Sequence, residues 1–385
     1  MKKRKICIVI TARPSYSRIR SVLEAINKHP KLELQVVVAA SALLDMYGNI
    51  TEYMKQDKIN ISSKVYMVME GEDFTAMAKT TGIGILELTT VFDNLCPDIV
   101  ISVADRYETI STAITASFMN IPLVHIQGGE VTGNIDEKVR HSVTKLADYH
   151  FVATKMAKER VLKLGESEDK IFLTGCPSID IAKKVNDNPE LDFNPFFKYG
   201  GVGKQFNYKN GYIVVMQHPV TNEYYQAGDQ VEATLKAIES LGYPTFWFWP
   251  NVDAGSNKTS KAIRSFREEN EVDKIHFIKS MSPEDFLKLL LNSRGIIGNS
   301  SVAIRECSFL GIPAVNIGSR QSRRERGNNV IDVDYNFKNI INAVEKNWEK
   351  MKCKRSNLYG KGNAGKKIVD LLAKIELVTE KQLTY

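Results

Sequence analysis

Cysteine is scarce and scattered in this chain. Five cysteines in 385 residues (Cys7, Cys96, Cys176, Cys307 and Cys353) form no CxxC pair and leave an odd count. That argues against a disulfide framework and against a zinc site, and fits a reducing cytoplasm. Long apolar runs are also missing. The longest are strand-length, such as Ile99 to Ala104, far from the roughly 20 apolar residues of a membrane span. The start, MKKRK followed by ICIVI, has the charge pattern of a signal peptide, but its apolar part is too short and Arg13 follows closely. Charge of one sign is not in excess: 52 Lys and Arg against 45 Asp and Glu leave a net +7. The basic cluster from Lys350 to Arg355 has only Trp348 beside it, so it reads as a solvated helix face, and no nucleic-acid partner is expected. Proline- or glycine-rich bias is absent, and 43% hydrophobic with 25% charged residues is ordinary globular composition.

What the chain does have is alternation. Short β-branched runs lie near 6–10, 34–40, 98–104, 122–127, 149–154 and 170–175, with amphipathic stretches such as 76–95 and 107–119 between most of them. The runs are continuously apolar, as in strands buried on both faces of a parallel sheet. Residues 185–210 break the pattern with Pro, Gly, Asn and Asp. The alternation restarts near 212–217, 244–249, 274–279, 294–298, 313–317 and 329–333, and a last amphipathic helix covers about 362–376. The expectation is an α/β protein of two Rossmann-like doubly wound domains facing each other across a cleft. The boundaries are 1–184, a linker at 185–210, 211–360, and a C-terminal helix and tail at 361–385 returning toward the first domain. Ligands in such sheets bind beyond the carboxyl ends of the strands, so the residues that follow each strand are the candidates.

The first strand leads into Thr11-Ala12-Arg13-Pro14-Ser15-Tyr16-Ser17, a helix opening where Arg13 and backbone N–H groups would hold an anion, or where Arg13 is a surface residue and a serine caps the helix. No GxGxxG is present, so the dinucleotide fingerprint has no support. Strand 98–104 ends in Asp105-Arg106-Tyr107-Glu108, either a structural ion pair or a carboxylate and guanidinium at a site. Strand 122–127 ends in the densest polar cluster: His125, Gln127, Gly128-Gly129-Glu130, then Asn134, Asp136, Glu137, Arg140 and His141. Asn134 with Glu137 has capping-box spacing, and Ile135, Val139, Val143 and Leu146 make an apolar stripe. Glu137, Arg140 and His141 fall on adjacent turns of another face. Capping does not account for the rest. Carboxylates beside His and Arg suit acid/base work on a polar substrate.

In the second half, strand 212–217 ends in Gln217-His218, and strand 244–249 is followed by Asn251, Asp253 and Ser256, which double as turn and cap residues. Strand 294–298 ends in Gly298-Asn299-Ser300-Ser301. The helix VAIRECSFL follows, with Glu306 on it and Gly311 as its terminator. Serines there cap the helix and also offer donors to phosphate. Arg320 heads four arginines within the seven residues 320–326, placed to meet an anion or solvent. The second half thus reads as a holder of a nucleoside diphosphate, and the first as a source of carboxylates and imidazoles.

The order of RPSYS, ADRYE, HIQGGEVTGNIDEKVRHSVTKLA, QHPVT, NVDAGS, GNSSVAIRE and GSRQSRRE closely resembles the hydrolysing UDP-N-acetylglucosamine 2-epimerases of sialic-acid-type pathways, over about residues 5–370. The resemblance implies the GT-B fold and a homodimer or homotetramer. It also implies chemistry with no metal or redox cofactor: a base removes the sugar C2 proton as UDP leaves C1, giving 2-acetamidoglucal, and water then adds to release N-acetylmannosamine. By motif, Arg13, His218, Ser300, Ser301, Glu306 and Arg320 correspond to nucleotide-binding groups. Asp105, the Gln127–Glu130 strip, Asp136, Glu137, Arg140 and His141 correspond to the catalytic and sugar side. Asn251, Asp253 and Ser256 lie near both, and Ser17 and Arg106 join the binding set. Gln127 stands where many members carry an acid/base Glu. An amide transfers no proton in that role, which moves weight to Glu130 and Asp105. It also leaves room for a UDP- or GDP-linked 2,4-diacetamido-trideoxy hexose of the legionaminic-acid type. A GT-B glycosyltransferase would share the nucleotide motifs but lack the GGEVTG…RH block.

Overall fold

The computed structural model describes residues 2–44, 50–71, 74–132, 135–250, 255–270, 272–348 and 353–384. Two compact units emerge, one drawing on Met1–Val131, Ile135–Ile181 and Tyr359–Tyr385, the other on Ala182–Leu358.

The first unit is built on seven parallel strands: β1 (Arg4–Ile10), β2 (Leu32–Ala39), β3 (Ser63–Val65), β4 (Ile99–Val103), β5 (Leu123–Ile126), β6 (Tyr149–Val152) and β7 (Ile171–Leu173). Their order is β3-β2-β1-β4-β5-β6-β7. The apolar runs are continuous because both faces are covered. Along β1, Ile6, Ile8 and Ile10 join a core with Ile19, Val22 and Leu23 of the helix Arg13–Lys28 and Ile368, Val369 and Leu372 of the helix Ala364–Leu372. Cys7 and Val9 point the other way, to Leu88 and Phe92 of Phe74–Leu95, Ala113 and Ala116 of Thr109–Phe118, and Val143 of Ile135–Leu146. Burial on this scale pushes the Cys7 thiol up to about 12, so it packs as a small apolar side chain.

The second unit has six parallel strands: β8 (Ile213–Met216), β9 (Thr245–Phe248), β10 (Ile275–Ile278), β11 (Ile296–Gly298), β12 (Ala314–Ile317) and β13 (Val330–Val333), in the order β10-β9-β8-β11-β12-β13. One face buries Val215, Trp247, Phe277, Ile297 and Val315 under the helices Ala227–Leu241, Ser256–Glu269 and Phe337–Asn347. The stretch 185–210 is packed on this unit. Its helix Pro195–Tyr199 sets Phe196 edge-on to His276, and Val202 bridges Phe277 of β10.

All twelve strand positions read from sequence carry strands; the short edge strand β3, SKV, has no apolar run to announce it. The expected helix VAIRECSFL is broken. Ser301–Ala303 form a 3₁₀ turn and Glu306–Leu310 a separate short helix, hinged at Arg305 (ψ −70°). The capping residue Asn134, part of the basic cluster 350–355, and both Asn251 and Asp253 lie outside the described residues. Among the described residues, no helix is long and apolar enough to cross a membrane, and no group of three or more His, Cys, Asp or Glu could hold a metal ion.

Candidate active site

Each sheet reverses its winding direction once, between β1 and β4 in the first unit and between β8 and β11 in the second. At such a point adjacent crossovers diverge to opposite faces and leave a crevice at the strand carboxyl ends. Arg13 and Asp105 follow β1 and β4, the two strands at the first point, and His218 and Ser300 follow β8 and β11, the two strands at the second.

In the first unit, Arg140 is the centre. It lies on the helix Ile135–Leu146 yet is only 1% exposed, a state that demands partners. Its Nη2 donates to the Asp105 carboxylate just beyond β4, and its Nη1 donates to the Glu130 carbonyl at 2.8 Å. Arg18, from the helix after β1, places Nη1 3.6 Å from the other Asp105 oxygen. One carboxylate is thus held between two guanidinium groups at the switch point. Arg140 therefore turns inward, away from Glu137 and His141, which pair on the half-exposed side at 3.3 Å; the three do not present one common face. Asp136 is half-buried in the first turn of the same helix.

Gly128 and Gly129 deliver Glu130 into this place. Gly129 is left-handed (φ +75°), and a Cβ there would sit 2.3 Å from the Ala157 carbonyl; one on Gly128 would meet His125 Nδ1 at 2.9 Å. Gln127 also has positive φ (+70°), a conformation that costs a non-glycine residue roughly 1–3 kcal/mol. Its Nε2 donates to Cys176 Sγ at 2.9 Å, while its buried Oε1 has no hydrogen-bond partner. Thr11 Oγ1 and Arg13 Nη1, beyond β1, are likewise buried without partners. Buried polar atoms are rarely left so unless something else meets them. Ser17 turns its hydroxyl onto its own helix, 3.4 Å from the Arg13 carbonyl.

Two of the candidate residues are committed elsewhere. Arg106 forks onto the buried Glu108, at 3.2 and 3.0 Å. His125 is fully buried in the sheet, its Nε2 3.0 Å from the Ala104 carbonyl and its Nδ1 3.1 Å from Thr144 Oγ1. Because a carbonyl only accepts, Nε2 carries the proton. Burial drives the His125 pKa down to about 3, so it is a neutral brace and not an acid/base group.

In the second unit, Asn299 organises the switch point. Its Oδ1 accepts from the His218 N–H and its Nδ2 donates to the His218 carbonyl, both at 2.7 Å. The Asn299 carbonyl in turn accepts from Gln321 at 2.9 Å and Arg320 at 3.3 Å. One buried amide thereby sets both the imidazole-bearing strand end and the arginine loop. Ser300 caps the 3₁₀ turn by accepting from the Val302 N–H, and Ser301 Oγ accepts from Arg305 at 2.8 Å. Glu306 is 7% exposed, and its buried Oε2 has no hydrogen-bond partner. Ser256 is buried at the start of its helix. Sequence reasoning passed over Asn299, although it stands between Gly298 and Ser300, and gave Arg18 no role, although it lies on the same helix as Arg13.

The chain matches the family model described as UDP-N-acetylglucosamine 2-epimerase over residues 24–373. It belongs to that family. It is a nucleotide-sugar 2-epimerase of the hydrolysing type. The chain is 33% identical to the UDP-N,N'-diacetylbacillosamine 2-epimerase (hydrolyzing) of Legionella pneumophila, covering 97% of both chains. It is 32% identical to the polysialic acid biosynthesis protein P7 of Escherichia coli, over 89% of this chain and 85% of that one. The crystal structure of UDP-GlcNAc 2-epimerase from Neisseria meningitidis bound to UDP-GlcNAc aligns with a TM-score of 0.78 at 21% identity, covering 96% of this chain and 99% of that one. Neighbours of this kind establish a GT-B-like architecture for the 2-epimerase.

Proposed function

We propose that this 2-epimerase converts UDP-N-acetylglucosamine and water to UDP and N-acetylmannosamine, supplying sialic-acid-type synthesis. The observation that supports it most is the Asp105 carboxylate set between Arg140 and Arg18, beside Glu130, at the switch point of the first sheet. The reaction needs a base for a weakly acidic C–H. A carboxylate takes the C2 proton, the C2–H electrons form the C1=C2 bond, and the C1–O bond breaks with its electrons leaving on UDP. Water then adds its hydroxyl to C1 while a proton returns to C2 on the opposite face. Two proton-transfer groups are required, and Asp105 and Glu130 are the pair read here. Asp136, Glu137 and His141 are read as further sugar-side groups, and Arg140 as the group that holds Asp105 and the Glu130 carbonyl. Gln127, which moves no proton, offers its unpartnered Oε1 to a sugar N–H or O–H.

The leaving diphosphate gains charge, so donors and cations belong around it. Arg13 of the first unit and Ser300, Ser301 and Arg320 of the second are read as candidates for that role, as are His218 and Ser256. Glu306, whose Oε2 has no hydrogen-bond donor and lies 4.0 Å from Arg305 Nε, is read as the acceptor for the ribose hydroxyls.

A second reading keeps the chemistry and changes the sugar to UDP-N,N'-diacetylbacillosamine. It is favoured by the Legionella relative and by Gln127 in place of Glu. UDP release measured on both sugars, and on their GDP-linked counterparts, separates the readings. A kcat/KM at least tenfold higher on UDP-N-acetylglucosamine supports the first; the reverse preference supports the second.

A further inference from the structure

The helix that carries Arg140 is held at its far end by the C-terminal tail. Lys381 Nζ donates to the Thr144 carbonyl at 3.3 Å and the Ala147 carbonyl at 2.5 Å, the orphan acceptors where that helix ends. A cation here answers both the unsatisfied carbonyls and the negative end of the helix dipole. Lys381 is itself fixed by Glu166, 2.6 Å away. Glu166 is 4% exposed and also takes Lys145 Nζ at 2.5 Å and the buried His150 Nε2 at 3.0 Å. Burial raises the Glu166 pKa, but the hydrogen bonds from His150, Lys145 and Lys381 outweigh it and bring it to about 2, so the node is ionised. The rest of the tail is tied to the same unit. Tyr149 donates to the Glu376 carbonyl, Thr379 to Asn120, Lys170 to the Glu380 carbonyl, and the Thr384 N–H to the Gly165 carbonyl.

Thr144 passes this restraint inward. Its single hydroxyl proton faces two acceptors, the Arg140 carbonyl at 2.9 Å and the unprotonated His125 Nδ1 at 3.1 Å, and is given to one of them at a time. His125 in turn holds the Ala104 carbonyl, one residue before Asp105. Ala104 has φ +65°, an unfavourable conformation without a Gly, and this bond helps to keep it there. Thr144 thus packs against the supports of both ends of the Asp105–Arg140 pair, sharing one proton between them, and its carbonyl is held by the tail.

We propose that Lys381 and Thr144 are positioning residues for the reaction, with the tail setting the Asp105–Arg140 geometry through the helix Ile135–Leu146. The inference rests on the function proposed above. The test uses the full chain as Lys381→Met and Thr144→Val, with Lys381→Arg and Thr144→Ser as conservative partners. Turnover of UDP-N-acetylglucosamine or UDP-N,N'-diacetylbacillosamine, UDP affinity by calorimetry, and amide hydrogen exchange over 137–147 are read together. Misplacement by a fraction of an ångström costs large rate factors, so kcat is expected to fall about tenfold or more in both disruptive variants. UDP affinity should stay within about twofold and exchange across the helix should quicken; the conservative variants should recover most of the rate. Unchanged kcat, an equal loss of UDP affinity, or a loss that Lys381→Arg and Thr144→Ser do not repair overturns the proposal. If the unaltered chain turns over neither sugar, the function reading fails. Helix exchange then decides the bracing alone: quickened in Lys381→Met supports it, unchanged overturns it.

Discussion

Arg140 and Asp105 sit on different elements of the first unit, and the buried guanidinium of one donates to the carboxylate of the other while also holding the Glu130 carbonyl. Removing one partner of a buried pair strands the other. Arg140→Met is expected to cost about 3–5 kcal/mol of stability and to abolish turnover. Urea unfolding, followed with a probe in the first unit, checks this; a loss under about 1 kcal/mol would mean that Asp105 is satisfied without Arg140.

The carboxylates carry the proton transfers in the proposed reaction, whereas Gln127 only accepts a hydrogen bond. Asp105→Asn and Glu130→Gln should each lower kcat at least a hundredfold and leave UDP affinity near its original value. Gln127→Ala should raise KM with less than about a tenfold change in kcat, the loss expected for one neutral hydrogen bond. Steady-state kinetics of the three variants would refute the division of roles if Gln127→Ala were the inactive one.

In the second unit, Asn299 both accepts from and donates to the His218 backbone. Asn299→Asp keeps the acceptor and loses the donor, leaving a buried carbonyl unpaired at about 1–3 kcal/mol. Titration with UDP should show affinity down about tenfold in Asn299→Asp and more in Asn299→Ala. Equal affinities in all three forms would detach this clamp from nucleotide binding.

Acid should destabilise the first unit over a wide range. His125 is depressed from an ordinary 6.5 to about 3, and Glu166 from 4.5 to about 2. In both, the unfolded chain binds the proton first. The stability tied to the unprotonated forms is whole above pH 6.5 and is lost as pH falls toward 3 for His125, and from 4.5 toward 2 for Glu166. Melting temperature should therefore decline through this window. His125→Asn, less stable at pH 7, should show a flatter decline between pH 6.5 and 3. A parallel decline would place the proton uptake elsewhere.

The strands were legible because both of their faces are buried: Ile6, Ile8 and Ile10 serve one core and Cys7 and Val9 the other, so the apolar run is unbroken. The positions of Asp105, Glu130, His218 and Ser300 beyond strands followed from the same reading. Partnerships were harder to read. Nothing local distinguishes Arg140, turned inward to Asp105 35 residues away, from Glu137 and His141 on the wetter side. His125 looked chemical because imidazoles are often reactive, but its burial keeps it neutral, outweighing the bond to the Ala104 carbonyl that favours the charged form. Asn299 was hidden by its neighbours, since an Asn before two serines reads as a cap until the contact with His218 across 81 residues is seen. The break in VAIRECSFL has no local breaker either; it arises at Arg305, whose side chain returns to Ser301.

The most direct measurement is proton NMR of the purified chain with UDP-N-acetylglucosamine in deuterated water. Hydrolysing epimerisation through C2 deprotonation should yield UDP and free N-acetylmannosamine carrying deuterium at C2. Product that retains protium at C2, or that remains linked to UDP, would contradict it.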